Sequence, residues 1–176
     1  MDEVIFREAT AADVPMIQPL VHNAYRGDRA RLGWTHEADL LEAQRVDEDQ
    51  LAASIDDPAQ VIVLAEQAGV LIGCVLVADK GASLAYLGML TVDATVQARG
   101  LGRRLIDRAE ALARDRFGAT RMEMTVIVQR TELIEWYERR GYHQTGDRRP
   151  FPASDPRFGV PLRSDLEFVV MERSLA

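Results

Sequence analysis

The sequence has very little cysteine or lysine, and it has no long apolar run. Cys74 stands alone, so it cannot form a disulfide within the chain, and its apolar surroundings predict a core residue rather than a nucleophile. Because no stretch of about eighteen apolar residues occurs, no membrane-spanning helix is expected. Residues 1–4 show neither the basic nor the apolar segment of a signal peptide, and the cytoplasm is the expected location.

Acidic residues outnumber basic ones, and the formal net charge of −7 argues against a general nucleic-acid-binding protein. The imbalance is concentrated between His36 and Asp57, where eight acidic residues accompany one basic residue, Arg45. This acidic segment is either a solvated surface or a wall that attracts a cationic amine. A composition of 47% hydrophobic and 28% charged residues over 176 positions is typical of one globular domain, which we expect to span residues 1–176.

Apolar residues recur at the periods of strands and helices along the chain. The pattern predicts the element order β-α-α-β-β-β-α-β-α-β-β, with no internal repeat. The predicted strands are 4–8, 61–65, 70–77, 86–92, 122–126, 142–146 and 166–173. The predicted helices begin after Thr10 and near residue 35, and then occupy 47–55, 103–117 and 131–140. A loop rich in proline and arginine is expected at 148–163.

Residues 97–102 read QARGLG and stand between a predicted strand and a predicted helix. Backbone N–H groups at the start of a helix are unpaired and the helix dipole is positive there, so anions bind at such turns. Glycines at 100 and 102 lack a Cβ and allow close approach of a ligand. The spacing fits neither the dinucleotide fingerprint nor the P-loop. The segment therefore predicts a pyrophosphate site of another kind, with an ordinary tightly packed turn as the alternative.

This segment resembles the Gln/Arg-x-x-Gly-x-Gly/Ala loop of the GCN5-related N-acetyltransferase (GNAT) superfamily, and the predicted element order is similar to that fold over nearly the whole chain. The resemblance implies an α/β fold with a mixed, mostly antiparallel sheet that is splayed between its fourth and fifth strands and flanked by helices. It also implies acetyl-CoA as co-substrate, with the pyrophosphate on the loop and the pantetheine arm paired with the main chain of the preceding strand.

The cofactor contacts that the resemblance implies are Leu90, Thr91, Val92, Gln97, Ala98, Arg99, Gly100, Leu101, Gly102 and Arg103. Arg130 is included because it stands where many relatives have an asparagine that reaches the pantetheine or the acceptor. Its side chain can bind the phosphate of the cofactor, contact an acidic group of the substrate or point to solvent.

The resemblance further implies transfer of an acetyl group to a primary amine by direct attack in a ternary complex. Residues 137–142 read YERRGY and resemble the family stretch Tyr-Glu-x-x-Gly-Phe/Tyr, which places Tyr137 in the position of the general acid that protonates the thiolate. Packing of Tyr137 in a helix is the alternative. Glu123 is the candidate base, acting through a water, or else a cross-strand surface residue; His36 and water alone are further options.

Acceptor specificity is implied for residues 25–41 and 148–163. The substrate-binding candidates are Tyr25, Arg29, Trp34 and His36. Arginines and aromatic residues in these segments suit an acceptor with a carboxylate or phosphate, whereas the acidic segment suits a cation, and a small zwitterion satisfies both. A CoA-binding sensor without turnover and a phosphate-binding protein are the rival functions. No metal, nucleic acid or membrane partner is expected, and the resemblance allows a homodimer.

Overall fold

Seven strands form one sheet in the computed structural model, which describes residues 3–97 and 99–176. In chain order the strands are β1 (Val4–Glu8), β2 (Leu41–Glu42), β3 (Gln60–Gln67), β4 (Val70–Asp79), β5 (Leu84–Val92), β6 (Arg121–Ile127), β7 (His143–Pro150), β8 (Val160–Pro161) and β9 (Glu167–Ser174). The order across the sheet is β1-β3-β4-β5-β6-β9-β7, and β2 pairs separately with β8. Neighbours in the large sheet are antiparallel, except that β5 and β6 are parallel.

The two faces of the sheet carry different helices. The helices are α1 (Val14–Tyr25), α2 (Gly27–Ala30), α3 (Glu48–Asp56), α4 (Leu101–Phe117) and α5 (Thr131–Glu138). On β3, Val61 and Val63 belong to the core cluster that includes residues of α4 and α5, whereas Ile62 and Leu64 belong to the cluster that includes residues of α1 and α3. This alternation is the period of two that a strand with both faces buried shows. Within the described ranges, none of the helices combines the length and the apolar content that a membrane crossing needs.

The predicted α/β fold with a mixed, mostly antiparallel sheet flanked by helices is confirmed. β5 and β6 are the fourth and fifth strands across the sheet. They pair only from Leu84 and Arg121 to Tyr86 and Glu123, and their later residues do not pair with each other. The splay therefore lies where the resemblance placed it.

One predicted helix is wrong. Residues 31–40 form turns and bends and lead into the short strand β2. The segment has two adjacent leucines rather than a helical stripe, and Leu41 is buried against Ile127 and Leu166 in a small cluster. The proline-rich segment predicted as a loop at 148–163 also contributes to two strands, β7 and β8.

β5 carries one more residue than β4 between two points of their pairing. Cys74 pairs with Thr91 and Leu76 pairs with Gly88, so two steps along β4 match three along β5. Met89 lies in this bulge with a φ of 52°, a left-handed value that is uncommon outside glycine. A bulge bends its strand locally, and this one lies within the part of β5 that no longer pairs with β6.

Glu110 connects α4 to the far end of the sheet. Its buried carboxylate accepts hydrogen bonds from the hydroxyl of Tyr142 at 2.9 Å and from Nη1 of Arg173 at 3.0 Å. Burial, together with the negative charge of Glu110, raises the pKa of Tyr142, so its hydroxyl keeps its proton and donates. The network therefore joins α4, the turn after α5, and β9.

We expect Glu110→Gln to lower the free energy of unfolding by about 1–3 kcal/mol, because Arg173 then faces a neutral partner. Tyr142→Phe removes one hydrogen bond and leaves the ion pair, so its loss is about 1 kcal/mol. Asp115→Asn, an exposed change on the same helix, is the control and should stay within about 0.5 kcal/mol of the parent. Urea unfolding followed by circular dichroism measures all three. A Glu110→Gln variant as stable as the control would contradict this role.

Candidate active site

Two cavities meet where β5 and β6 separate. The first has a volume of about 290 Å³ and is termed the loop cavity, because Gly100, Gly102 and Arg103 form part of its wall. The second has a volume of about 180 Å³ and is termed the aromatic cavity, because three phenylalanines line it. The residues common to both walls are Tyr25, Leu90, Arg130, Leu133 and Tyr137. A ligand in one cavity can therefore contact a ligand in the other at this shared wall.

The start of α4 forms one end of the loop cavity. Gly100 is the N-cap residue, with a left-handed φ of 78°, and it has no side chain with which to cap the helix. The first turn of this helix, which the structure describes completely, contains no acidic residue. Its backbone N–H groups can therefore bind an anion, and Arg103 adds positive charge beside them. This is the arrangement on which the predicted anion site depends.

Most of the predicted loop residues line the loop cavity, namely Gln97, Gly100, Leu101, Gly102 and Arg103. Arg99 is exposed and is not part of the wall, and Ala98 lies outside the described residues. Gly102 also permits close packing within the protein, because a Cβ there would lie 3.3 Å from the ring of Trp136, which would have to shift slightly. The glycine thus lets α4 approach α5, a reason that differs from the ligand approach inferred from the sequence.

The side chain of Gln97 connects the loop to the segment that follows α2. Its Nε2 donates to the carbonyl of Val92 at 3.1 Å, and its Oε1 accepts from the backbone N–H of Trp34 at 3.0 Å. A Cβ on Gly33 would collide with that Oε1, so the observed position of the Gln97 side chain depends on a glycine at 33. The Gln97 side chain therefore bonds to protein groups on both sides, while the residue still lines the cavity.

The end of β5 forms part of the wall of the loop cavity. Leu90, Thr91 and Val92 all line this cavity, as the resemblance implied. The carbonyl of Leu90 accepts the hydroxyl of Tyr25 at 2.5 Å, so one of its two lone pairs is already used. Burial raises the pKa of Tyr25 to about 12, which keeps this hydroxyl a donor.

Tyr137 lies on the wall between the two cavities. It is 5% exposed, and its ring packs edge-on against Trp136 and Tyr142, with ring centres 5.1 and 6.0 Å away. No residue in the described ranges hydrogen-bonds to its hydroxyl, which is thus available to a ligand. Burial raises the pKa of Tyr137 above its usual value, so the hydroxyl carries its proton at neutral pH. The free hydroxyl suits proton donation. The ring contacts show that Tyr137 also packs in the aromatic cluster.

A buried carboxylate between two arginines closes the other side of the shared wall. Glu37 Oε2 accepts from Nε and Nη2 of Arg26 at 3.0 and 2.9 Å, and its Oε1 accepts from Nη1 of Arg130 at 3.1 Å. Arg130 Nη2 also donates to the hydroxyl of Thr35 at 2.8 Å. All three charged side chains are nearly inaccessible. The three residues form a triad that joins α1, the 31–40 segment and α5.

The triad corrects two expectations from the sequence. Arg130 does not point to solvent, because its guanidinium is buried and bonded to Glu37, although it lines both cavities. Burial alone would raise the pKa of Glu37, but the charges of Arg130, Arg45 and Arg26 outweigh it and lower that pKa. Of the acidic residues in the acidic segment, Glu37 is the one that lines the aromatic cavity, and it is neutralised there. An acidic wall facing the cleft is therefore not observed.

Three further candidates lie outside the two cavity walls. Glu123 is buried, and its carboxylate accepts from Nη2 of Arg149 at 3.1 Å. Arg29 is half exposed, with its nearest acidic partner, Asp93, at 3.7 Å. The Nδ1 of His36 accepts from the backbone N–H of Ala38. By contrast, two substrate-binding candidates line a cavity: Tyr25 lines both cavities, and Trp34 lines the loop cavity.

The residues that sequence reasoning missed are those whose partners are far along the chain. The Glu37–Arg130 pair spans 93 positions, and Glu37 occurs in an acidic run that suggested a surface. Arg45 lines the aromatic cavity but was counted only as the lone cation of that run. Phe168 lines the same cavity from β9. No local spacing pattern signals any of these contacts.

The sequence model of the acetyltransferase (GNAT) family matches residues 21–142, which include the loop at 97–102 and Tyr137. No curated protein sequence is significantly similar to the chain. Similar solved structures include yncA from Salmonella typhimurium with its cofactor acetyl-CoA, at 22% identity and a TM-score of 0.71, covering 99% of this chain and 95% of that one.

Two other similar structures are those of acetyltransferases that are named for their acceptors. The ribosomal-protein-S18-alanine N-acetyltransferase from Escherichia coli has 15% identity and a TM-score of 0.71, covering 99% of this chain and 95% of that one. A spermidine N-acetyltransferase chimera of Vibrio cholerae SpeG and hSSAT has 19% identity and a TM-score of 0.68, covering 98% and 95%. At these identities the likeness establishes the shared fold.

We expect Glu37→Gln to destabilise the protein by about 3–5 kcal/mol, because it leaves two buried guanidinium groups without a counter-charge. Asp39→Asn is the matched control, since Asp39 is exposed in the same segment and its ion pair with Arg31 lies at the surface. Thermal unfolding of both variants measures the difference. If Glu37→Gln melted at the temperature of the control, the triad would not hold the site together.

Proposed function

Because the chain belongs to the acetyltransferase (GNAT) family, we propose that it transfers the acetyl group of acetyl-CoA to a primary amine of a small molecule or peptide, by direct attack in a ternary complex. The observation that carries the proposal is the junction of two cavities at Tyr137, where β5 and β6 separate. One cavity has the features of a pyrophosphate site at its end. The other offers a separate space for an acceptor.

Acetyl-CoA is assigned to the loop cavity. Its pyrophosphate would bind the N–H groups that follow Gly100, with Arg103 and Arg140 supplying positive charge on the same wall. Its pantetheine arm would lie along Leu90 to Val92, where β5 has left β6 and has main-chain groups free of that partner. The similarity to yncA, whose structure contains acetyl-CoA, supports this assignment.

The chemistry needs few side chains. The neutral amine nitrogen attacks the thioester carbonyl carbon, and the tetrahedral intermediate then collapses with cleavage of the carbon–sulfur bond. The departing thiolate takes the hydroxyl proton of Tyr137, and the phenolate regains a proton from solvent. The amine nitrogen loses its extra proton to a water molecule, because Glu123 lies outside both cavities and is bonded to Arg149.

The loop assignment predicts that Gly100→Ala weakens acetyl-CoA binding at least tenfold, which is about 1.4 kcal/mol. Among the described residues, apart from its two chain neighbours, a Cβ on Gly100 meets no atom within 4 Å, and it would lie beside the cavity where the ligand is assigned. Gly118→Ala is a matched control, because Gly118 also has a left-handed φ, of 62°, and an open Cβ position, at the other end of α4.

Both variants carry similar backbone strain, of about 1–2 kcal/mol, so their stabilities should fall alike. Calorimetric titration with acetyl-CoA then separates strain from ligand contact. Equal affinities of the two folded variants for acetyl-CoA would contradict the assignment of the pyrophosphate to this turn.

The assignment of Tyr137 predicts that Tyr137→Phe lowers kcat by about 10²-fold, while acetyl-CoA still binds. Loss of proton donation should matter less with an acetyl donor whose thiol is more acidic than that of CoA, because such a leaving group needs less help. Tyr142→Phe is the control within the same aromatic cluster, and its hydroxyl donates to Glu110 away from the cavities. Stopped assays of CoA release provide both rates. An equal loss with the two donors would leave Tyr137 as a packing residue.

A further inference from the structure

We infer that the amine acceptor carries an anionic group, of the carboxylate class, and that Arg45 binds this group in the aromatic cavity. The inference rests on the proposed function, since it names the class of acceptor for the same site. It is argued from the charges on the cavity wall, from the free guanidinium of Arg45 and from the size of the space.

The wall of the aromatic cavity has an excess of positive charge. Among the described residues that line it, three are arginines, Arg26, Arg45 and Arg130, and one is acidic, Glu37. Glu37 bonds to both Arg26 and Arg130, so its single negative charge is shared within the triad. The triad therefore keeps one positive charge, and Arg45 adds a second. Positive charge withdrawn from water is costly unless an anion pairs with it.

Arg45 is the member of this set that is open to a ligand. No hydrogen bond or ion pair joins its guanidinium to another residue in the ranges 3–97 and 99–176. Its carbon Cζ lies 5.4 Å from the centre of the Tyr25 ring, a cation–π contact that leaves the N–H groups of the fork without acceptors. A guanidinium with this freedom binds a carboxylate through two parallel hydrogen bonds.

Tyr25 places this cation at a useful position relative to the reacting atoms. The same ring that contacts Arg45 lines both cavities, and its hydroxyl bonds to the carbonyl of Leu90 on the shared wall. An acceptor whose anion pairs with Arg45 would therefore span the aromatic cavity. Its amine would point to the wall between the two cavities, where Tyr137 lies. The anion fixes the orientation of the amine, which is the contribution that positioning makes to rate.

The rest of the cavity indicates what else the acceptor carries. Phe151, Phe158 and Phe168 line the cavity. Its volume of about 180 Å³ is smaller than that of pockets that typically bind drug-sized ligands. A small amine with a carboxylate and a compact apolar side chain matches these walls. A long polycation does not, because it would place further positive charge beside the arginines.

The experiment compares acceptors in matched pairs. Apolar amino acids are assayed beside the amines that lack the carboxylate but keep the same carbon skeleton, and beside the corresponding aminophosphonates, with spermidine as a polycation. We expect the anionic member of a pair to have a kcat/KM at least tenfold higher. The phosphonate arm distinguishes a carboxylate from a phosphate-type anion. Acetylation confined to amines without an anionic group, or to spermidine, would overturn the inference and leave the proposed function intact.

Variants of Arg45 test the assigned contact. We expect Arg45→Gln to raise the KM of the anionic acceptor at least tenfold, with the KM of acetyl-CoA unchanged, since Arg45 does not line the loop cavity. Arg45→Lys should restore part of the loss, because it keeps the charge but not the fork. Arg31→Gln is the control, an equal change of net charge at an exposed site of the neighbouring segment. An Arg45→Gln variant that handles the acceptor as the parent does would overturn the assignment.

Binding measured without turnover separates the two proposals. Each amino acid is titrated calorimetrically into the protein saturated with CoA, for the parent and for Arg45→Gln. Binding that depends on Arg45, without acetyl transfer to any amine of the panel including spermidine, would support the anion site and refute the proposed acetyl transfer. Absence of binding by every amino acid and aminophosphonate would refute the anion site, whatever other amines are acetylated.

Discussion

The separation of β5 from β6 is the constraint on which the rest of the site depends. β5 and β6 are parallel and pair only as far as Tyr86 and Glu123. Beyond these residues, the main-chain groups of one strand do not bond to those of the other. Such groups must be satisfied elsewhere, since a buried N–H or carbonyl without a partner is costly. The protein meets part of this need with Tyr25 on the Leu90 carbonyl and Gln97 on the Val92 carbonyl. Under the proposed function, the pantetheine arm would pair like an added strand and meet the rest.

Charged side chains form part of the opening between the two strands. The triad of Arg26, Glu37 and Arg130 lines the aromatic cavity there. A buried ion pair is weak evidence for stability, because the cost of removing charges from water offsets their attraction. Its clearer effect here is positional. The side chain of Glu37 joins a segment without regular structure to α1 and to the start of α5, and so fixes a wall of both cavities.

The sequence predicts those parts of the fold that depend on residues close together in the chain. The apolar run at 61–65 and the glycine-rich turn before α4 each involve residues a few positions apart, and both predict the observed elements. The bulge at Met89 leaves no such pattern, because an apolar residue in a strand gives no sign of a left-handed φ. The helix expected near residue 35 fails for a related reason, since Glu37 is held by partners that sequence distance conceals.

The same limit applies to the site, and Gln97 illustrates it. The motif correctly places Gln97 beside the turn, yet its side chain bonds to Trp34 and Val92. The segment that Gln97 holds continues through Thr35, which bonds to Arg130, to Glu37 in the triad. One stretch of chain thus forms walls of both the loop cavity and the aromatic cavity. A displacement of this stretch changes both at once, so the shape available to one ligand depends on contacts that the other cavity also uses.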